Sequence, residues 1–266
     1  DCEVKVLTGF IEPHFFAGFS GGGKAIMPGL AALETIQRNH KAAYLDDPNV
    51  RWGITKGNPL WMDVAAAAKM AGPSFIVNVA LNRDKQITAV FAGDFEQAHA
   101  RGCEYVKHNA MAPVDRKFDI VVTSNSGYPL DLNLYQSVKG MSAAAQVAKP
   151  GGIIIVAADC WDGIPDHGKY GELLRSADST ESLLACIRTP GFAMQDMWQA
   201  HIHALLCQEY RVHFYSENLS DEQIGGAFMT PCRDIGDTVK RLAEKKGGDL
   251  QVCVLPEGPL TIPYVI

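Results

Sequence analysis

The residues best suited to chemistry lie between His14 and His40, where two histidines flank a glycine-rich loop that ends in a lysine. The loop reads Gly18-Phe19-Ser20-Gly21-Gly22-Gly23-Lys24 and is followed by Pro28-Gly29. Glycine lacks Cβ and tolerates positive φ, so its backbone can approach a ligand closely. A lysine can neutralise a phosphate or attack an electrophile, and imidazole can bind a metal or exchange a proton. We therefore expect the chemistry of this chain here.

The spacing from Gly18 to Lys24 fits the phosphate-binding pattern G-x-x-x-x-G-K, but two features argue against a nucleotide-hydrolysing P-loop. The next position should carry a Mg²⁺-binding Ser or Thr, and it is Ala25. A helix should continue after the lysine, and Pro28 interrupts it. These features disfavour an ATPase or GTPase.

Residues 30–40 are predicted to form a helix that presents His40. Leu33, Ile36 and His40 are three and four residues apart and so share one face. This places His40 on the apolar, inward side near the end of the helix. Periodicity leaves two roles open: a core histidine with a satisfied ring, or a metal ligand or acid–base group.

Further motifs follow His14, the loop and His40 along the chain. They are Gly57-Asn58-Pro59-Leu60, Phe91-Ala92-Gly93-Asp94 with Ala98-His99, Gly127-Tyr128-Pro129-Leu130-Asp131, and Tyr135-Gln136-Ser137-Val138-Lys139-Gly140. In order and spacing, these motifs together resemble the nickel-pincer lactate racemase family. The resemblance extends from Gly9 to about Ile164 and fades after it.

The resemblance implies a cofactor and a set of site residues. The cofactor is a nickel-pincer nucleotide, a pyridinium mononucleotide whose thioamide and thiocarboxylate sulfurs hold nickel. Lys24 matches the lysine that joins it through the thioamide, His40 matches the protein ligand to nickel, and His14 matches one of two catalytic histidines. The other implied cofactor-binding residues are Phe16, Ser20, Gly21, Gly22 and Pro28. The implied substrate-binding residues are Tyr135, Gln136, Lys139 and Trp198, and for Trp198 a place in the core or on the surface is equally open.

The activity implied by the resemblance is an isomerase, a racemase or epimerase of a small 2-hydroxy acid. A base such as His14 takes the hydroxyl proton while the Cα hydride moves reversibly to the cofactor. Enzymes that synthesise the cofactor are the implied partners. Family members are longer, with an N-terminal segment that carries an arginine and the second histidine. We therefore expect this chain to lack that part and to be inactive alone.

Two functions of other classes remain open. One is a non-catalytic small-molecule or nucleotide-binding α/β module that keeps the fold. The other is a phosphate-dependent transferase in which Lys24 acts electrostatically. His14, Lys24 and His40 together favour the racemase, since a binding module has no need of a metal-ligating histidine beside a nucleophilic lysine.

Composition restricts the class of protein. Hydrophobic residues make up 47% and charged residues 20%, as in globular proteins. A net charge of −6 and a pI near 5.7 argue against nucleic-acid binding. We find no apolar run of about 20 residues and expect no membrane association. The seven cysteines lack C-x-x-C spacing, which favours thiols in a reducing cytoplasm.

The pattern along the chain predicts two α/β domains with largely parallel sheets and an active site in the cleft between them. The expected boundaries are 1–111 for a cofactor-binding domain, 112–257 for a Rossmann-like domain, and 258–266 for a tail returning to the first. Residues 112–116 are expected to be a linker. The predicted strands are 4–7, 74–80, 86–91, 118–123, 152–157, 212–215 and 250–255. The predicted helices are 30–40, 60–70, 96–109, 133–148, 171–174, 182–188, 195–208 and 238–245.

Two other groups of polar residues are weaker candidates for a site. His201 and His203 are two apart and would point to different faces of a helix, so we expect them to be structural. Asp162, Asp166 and His167 could form a metal cluster, but the intervening Gly-Ile-Pro favours a loop.

Overall fold

The computed structural model describes residues 2–247 and 249–266. The chain divides into two compact units, the first ending at Met111 and the second covering Ala112–Ile266. Among the described helices, none combines the length and apolar character needed to cross a bilayer.

The first unit holds a three-stranded sheet and a small hairpin. Its strands are β1 (Val6–Phe10), β2 (Pro13–His14), β3 (Gly18–Phe19), β4 (Phe75–Leu81) and β5 (Ile87–Gly93). Its helices are α1 (Leu33–Asn39), α2 (Ala42–Leu45), α3 (Pro59–Ala71) and α4 (Phe95–Ala110), with a 3₁₀ turn over Gly22–Ala25. β1 pairs parallel with β4, β4 pairs antiparallel with β5, and β2 and β3 form the antiparallel hairpin. α4 packs against β4 and β5.

Local signals explain where α3 begins and ends. The Asn58 side chain accepts a hydrogen bond from the Trp61 amide, and Pro59 occupies the first turn, where its missing N–H costs nothing. Gly72 ends the helix in the left-handed conformation that glycine adopts easily. The helix predicted for 60–70 is confirmed.

α1 is shorter than predicted because the turn after Pro28 continues to Leu30, whose amide donates to the Ile26 carbonyl. The helix starts at Leu33, and His40 follows its end as the C-cap. His40 is buried as expected, with 4% of its surface exposed. Leu33 is exposed, so the prediction that it shares a buried face with His40 is wrong.

The second unit is built on a parallel sheet. Its strands are β6 (Met111–Val114), β7 (Phe118–Ser124), β8 (Ala148–Ala157), β9 (Arg211–Tyr215), β10 (Thr230–Pro231), β11 (Val252–Leu255) and β12 (Ile262–Val265). Its helices are α5 (Leu134–Ala145), α6 (Tyr170–Arg175), α7 (Thr180–Ile187), α8 (Met197–Glu209), α9 (Asp221–Gly226) and α10 (Ile235–Lys246), with a 3₁₀ turn over Gly258–Leu260. Five strands run parallel in the order β10-β9-β8-β7-β11. The predicted α/β class is confirmed.

The central strands of this sheet each contain a run of buried apolar residues. Ile120 and Val121 in β7, and Ile154, Ile155 and Val156 in β8, are fully buried. Continuous burial of this kind is typical of a parallel sheet covered by helices on both faces. The segment 125–133 follows β7 and therefore lies at the carboxyl edge of the sheet, where α/β folds bind ligands.

The structure differs from the sequence-based expectation at the ends of this unit. Residues 112–116, expected to be a linker, contribute to β6, which pairs with β12. The tail at 258–266 therefore lies within the second unit and pairs with its first strand. α9 and β10 were not predicted, although Ser220 and Gln223 form a capping box that marks the start of α9.

Candidate active site

Three side chains expected to act together meet around the buried ring of Phe16. The His14 ring lies edge-on at 4.5 Å between centroids, and the His40 ring lies edge-on at 4.9 Å. The Lys24 Nζ atom is 5.7 Å from the same ring centroid. These residues come from the β2–β3 hairpin, the 3₁₀ turn and the end of α1, so folding assembles them from three elements of the first unit.

His40 presents a neutral imidazole with a fixed orientation. Its Nδ1 donates to the Ile36 carbonyl at 3.0 Å, one turn back in the chain. Burial, together with the positive charge of Lys24, lowers the pKa of His40 to about 4. With Nδ1 protonated and bound to the backbone, Nε2 carries the lone pair, which is the arrangement that a metal ligand requires.

His14 has the opposite arrangement. Its Nδ1 accepts hydrogen bonds from the backbone N–H groups of Ala17 at 3.2 Å and Phe16 at 3.5 Å. The neutral ring therefore carries its proton on Nε2. For Nε2 to accept a proton from a substrate, the ring must change tautomer and give up its bonds to the hairpin.

The segment of residues 20–27, called the glycine turn below, lies between the two histidines and is packed tightly against β4 and α4. The Gly22 amide donates to Asn78 Oδ1 at 2.7 Å. A Cβ atom on Gly22 would lie 2.6 Å from the His99 ring, at a φ of +54°. The protein's own packing thus requires glycine at this position, independently of any ligand that approaches the turn.

The remaining predicted cofactor-binding residues support the same turn. The Ser20 hydroxyl donates to the Phe10 carbonyl at 3.0 Å and accepts from the Glu12 amide at 2.8 Å. Pro28 follows a cis peptide bond and accepts the Ala31 N–H at its carbonyl. The described contacts of both residues are therefore structural.

Three residues that hold this site were not assigned a role from the sequence. Asn58 donates to the Phe16 carbonyl at 2.8 Å, Asn78 accepts from Gly22, and His99 donates to Ser20. Asn78 is a buried polar residue in the middle of an apolar strand, which was a readable signal because such residues need a partner. The partner itself could not be read, since the glycine turn is far from Asn78 in sequence.

In the second unit, three of the four predicted substrate-binding residues, Tyr135, Gln136 and Lys139, lie on the first two turns of α5, and Trp198 lies on α8. Asn133 caps this helix by accepting the Gln136 amide at 3.1 Å. Lys139 Nζ donates to Gln136 Oε1 at 2.7 Å, so the two side chains form one half-buried polar pair. The positive charge of Lys139 favours an anion such as a carboxylate.

Trp198 lies beside Tyr135, half-buried. Its indole N–H donates to the Tyr135 hydroxyl at 3.2 Å. Burial raises the pKa of Tyr135 to about 12, so the phenol stays protonated. The Tyr135 ring in turn meets Tyr170 edge-on at 5.4 Å, which fixes its position on α5.

His203 is structural, as expected. It is fully buried. Its Nδ1 atom lies 2.6 Å from the Tyr170 hydroxyl, and its Nε2 atom lies 2.8 Å from the Ala227 carbonyl. Since a carbonyl only accepts, Nε2 is the donor and Nδ1 accepts from Tyr170.

Asp162, Asp166 and His167, for which a loop was favoured over a metal cluster, lie in the segment between β8 and α6. Asp162 accepts a hydrogen bond from the Asn133 side chain at 2.9 Å, while Asp166 and His167 are exposed. Across residues 2–247 and 249–266, no group of three or more His, Cys, Asp or Glu side chains is placed to hold a metal ion.

Two family models match the chain. The family model of the lactate racemase C-terminal domain matches residues 114–262, more than half of the chain. The model of the lactate racemase N-terminal domain matches residues 1–53. The chain belongs to the lactate racemase family.

Two lactate racemases illustrate how far the relationship extends. The protein from Thermoanaerobacterium thermosaccharolyticum is 40% identical over 260 residues, and that from Lactiplantibacillus plantarum is 38% identical over 260 residues. Each alignment covers 97% of this chain and 61% of the relative. The chain thus spans less than two thirds of the length of these family members.

Solved structures give the same result for the fold. The chain is similar to the lactate racemase apoprotein from T. thermosaccharolyticum, with a TM-score of 0.93, covering 99% of this chain and 63% of that one. A protein from Thermotoga maritima shares the fold at a TM-score of 0.72 and 17% identity. At that identity the second likeness concerns the fold alone.

Proposed function

We propose that this chain is the cofactor-bearing and substrate-binding part of a nickel-pincer-dependent racemase or epimerase of a 2-hydroxy acid. The observation that carries the proposal is the placing of Lys24 and the neutral His40 on the same Phe16 ring. Membership of the lactate racemase family supports an isomerase activity. The reaction assigned here is that of the whole protein to which these residues belong.

The residues of the first unit fit a nickel-bearing nucleotide. Imidazole is a good nickel ligand, and the lone pair of His40 Nε2 is set by the bond from Nδ1 to Ile36. Lys24 supplies the amine for covalent attachment. The chemistry that such a cofactor would supply, when bound, is reversible acceptance of the substrate's hydride. One protein nitrogen suits a metal whose other ligands are carried by the cofactor itself.

His14 is assigned the transfer of the substrate's hydroxyl proton. In the structure its Nε2 holds a proton, because Nδ1 accepts from Ala17. The basic form at Nε2 therefore requires the Nδ1–H tautomer and loss of the Ala17 bond. We propose that substrate binding accompanies this change in the β2–β3 hairpin.

Gln136 and Lys139 are assigned to the substrate's polar groups. The Lys139 ammonium, on the second turn of α5, offers charge for a carboxylate, and Gln136 offers an amide for an adjacent oxygen. Tyr135 and Trp198 would form the neighbouring wall of the substrate site. Burial raises the pKa of Tyr135, so its phenol there would be neutral.

We also propose that residues 1–266 alone do not racemise a 2-hydroxy acid. The chain covers 61% of its racemase relatives, and His99, another histidine near Lys24 in the fold, is committed to the Ser20 carbonyl. A racemisation needs proton transfer on both faces of the substrate, which calls for a second group besides His14. Chiral chromatography of a lactate incubation with the cofactor-loaded chain tests this, and racemisation above a Lys24→Ala control would contradict it.

The first experiment is intact mass and nickel content after co-production with cofactor-synthesis enzymes. We expect a mass increase and about one nickel per chain. Lys24→Ala should abolish both, whereas His40→Ala should retain the mass increase and lose most of the nickel. Lys24→Arg keeps the charge but not the nucleophile, and so separates attachment from electrostatic binding. Absence of an adduct both on this chain and on the full-length protein would contradict the proposed function.

A further inference from the structure

We propose that His99 is a positioning residue that fixes the glycine turn and thereby sets the place of Lys24. This inference rests on the proposed function of Lys24, but it concerns contacts within the first unit. His99 lies on α4 and is buried, with 4% of its surface exposed. Its Nε2 donates to the Ser20 carbonyl at 2.9 Å, which ties α4 to the start of the turn.

The proton of His99 is held on the nitrogen that faces the turn. Ser20 offers a carbonyl, which only accepts, so Nε2 must carry the proton. The Cys103 Sγ atom lies 3.5 Å from Nδ1, on the same helix one turn later, and can donate to it. Burial lowers the pKa of His99, so the ring remains neutral. Both nitrogens are therefore committed within the first unit.

Packing fixes the plane of the ring as firmly as these hydrogen bonds fix its proton. The His99 ring stacks on Trp61 of α3, with 4.6 Å between centroids and 15° between planes. Gly22 also packs against the ring, since an added Cβ there would lie 2.6 Å from it. The turn thus rests directly on the histidine.

A second hydrogen bond holds the turn against strand β4. The Gly22 N–H donates to Asn78 Oδ1, so Ser20 is held by α4 and Gly22 by β4. Lys24 follows within the same 3₁₀ turn, and its amide donates to the Gly21 carbonyl at 3.1 Å. Because the backbone of Lys24 is bonded to a turn held on both sides, His99 controls where its Nζ lies relative to Phe16 and His40.

Two isosteric substitutions separate this role from general stability. In His99→Gln the side-chain amide N–H can occupy the place of Nε2 and donate to Ser20. In His99→Asn the shorter amide reaches only the place of Nδ1. Both lose the ring, so both lose the stacking on Trp61. Val106→Ala, also buried on α4, serves as a control for destabilisation of the helix without a change at the turn.

The experiment is hydrogen–deuterium exchange of the turn, residues 20–27, with the labelling rate of Lys24 by an acylating reagent, both on the unloaded chain. We expect His99→Asn to speed exchange of the turn about tenfold, the loss of one buried hydrogen bond. Lys24 labelling should also become faster, as its turn is released. His99→Gln should restore both rates to near the wild type, and Val106→Ala should leave them unchanged.

Equal rates in His99→Asn, His99→Gln and the wild type would overturn the inference, as would an equal effect of Val106→Ala. Neither the exchange measurement nor the Lys24 labelling needs the cofactor. Failure of the wild type to load a nickel cofactor would count against the proposed function and leave the role of His99 decided by the exchange data. Faster exchange of the turn in His99→Asn would support the positioning role, and normal loading of the wild type with the nickel cofactor would separately support the proposed function.

Discussion

Three histidines of the first unit each have one ring nitrogen bound to the backbone, and the bound nitrogen and its role differ. His40 donates from Nδ1, His14 accepts at Nδ1, and His99 donates from Nε2. The sequence identifies histidines but not which nitrogen holds the lone pair. That choice underlies the roles proposed for the three rings, and it depends on the backbone atoms that surround each ring.

A prediction at this scale concerns Gly22. We expect Gly22→Ala to destabilise the chain by about 3 kcal/mol, because the new methyl group meets the His99 ring and φ is positive. Gly72→Ala is the matched control, with a φ of +62° and no atom within 4 Å of the added Cβ. It should cost only about 1 kcal/mol. Urea unfolding of both variants gives the comparison, and equal losses would show that the His99 contact is unimportant.

A second prediction concerns the pH dependence due to His203. Burial lowers its pKa from 6.5 to about 4 in the folded chain. Between these values the unfolded chain binds a proton that the folded chain does not, so stability falls as pH drops from 6.5 towards 4. This histidine should contribute about 3 kcal/mol to that fall.

His203→Gln removes the titrating group while keeping an N–H donor that can reach the Ala227 carbonyl. We expect urea unfolding of this variant to depend less steeply on pH between 4 and 6.5 than unfolding of the wild type. Parallel pH profiles for the two proteins would show that His203 does not titrate on unfolding in this range.

At the scale of elements, α5 shows how close packing places a set of side chains. Asn133 caps the helix, and its Gly140 lies against the end of β7, where the amide donates to Asn125 Oδ1 at 2.8 Å. A Cβ on Gly140 would lie 2.7 Å from that oxygen and 2.8 Å from the Ser124 carbonyl. The absence of a side chain thus allows α5 to approach the sheet, which sets the height of Gln136 and Lys139.

We therefore expect Gly140→Ala to destabilise the chain by about 2 kcal/mol, although alanine is the better helix former. Gly225 is the contrasting position, on α9 with no atom within 4 Å of an added Cβ. Gly225→Ala should stabilise by about 0.5–1 kcal/mol. Thermal unfolding should give shifts of opposite sign, and a stabilising Gly140→Ala would contradict the proposed contact with β7.

At the scale of the whole molecule, one face of the β1–β4–β5 sheet is apolar and exposed. Paired positions across the strands share this face, since Val6 lies opposite Phe75, and Phe10 opposite Val79, which faces Val90. Val6, Phe10, Phe75 and Val90 are all exposed. A contiguous exposed apolar surface promotes association in water.

We expect residues 1–266 alone to associate with increasing concentration, and Ile87→Lys with Val90→Lys to suppress it. Ile87 and Val90 are 62% and 60% exposed, so lysine there costs little packing. Met62→Lys with Met70→Lys adds the same charges at exposed positions on α3 and controls for net charge. Light scattering over a concentration series distinguishes the pairs, and equal suppression by both would assign the effect to charge rather than to the sheet face.

The α/β class, most helices and strands, and the candidate residues of the first unit could be predicted from the amino-acid sequence. Caps and periodicity are local, so α3, α4 and β7 could be predicted from neighbouring residues. Short elements such as the β2–β3 hairpin and β10 carry too few residues to show a period. The motifs led to His14, Lys24 and His40 because their types and order resemble one family.

The contacts that hold those residues could not be predicted in this way. The contacts of Asn78 and His99 with the glycine turn, and of Tyr135 with Trp198, join residues more than fifty positions apart. The tautomers of His14 and His40 follow from carbonyl and amide groups placed beside each ring. Such contacts depend on the packing of one element against another, and a hydrogen bond between distant residues leaves no periodic trace in the chain.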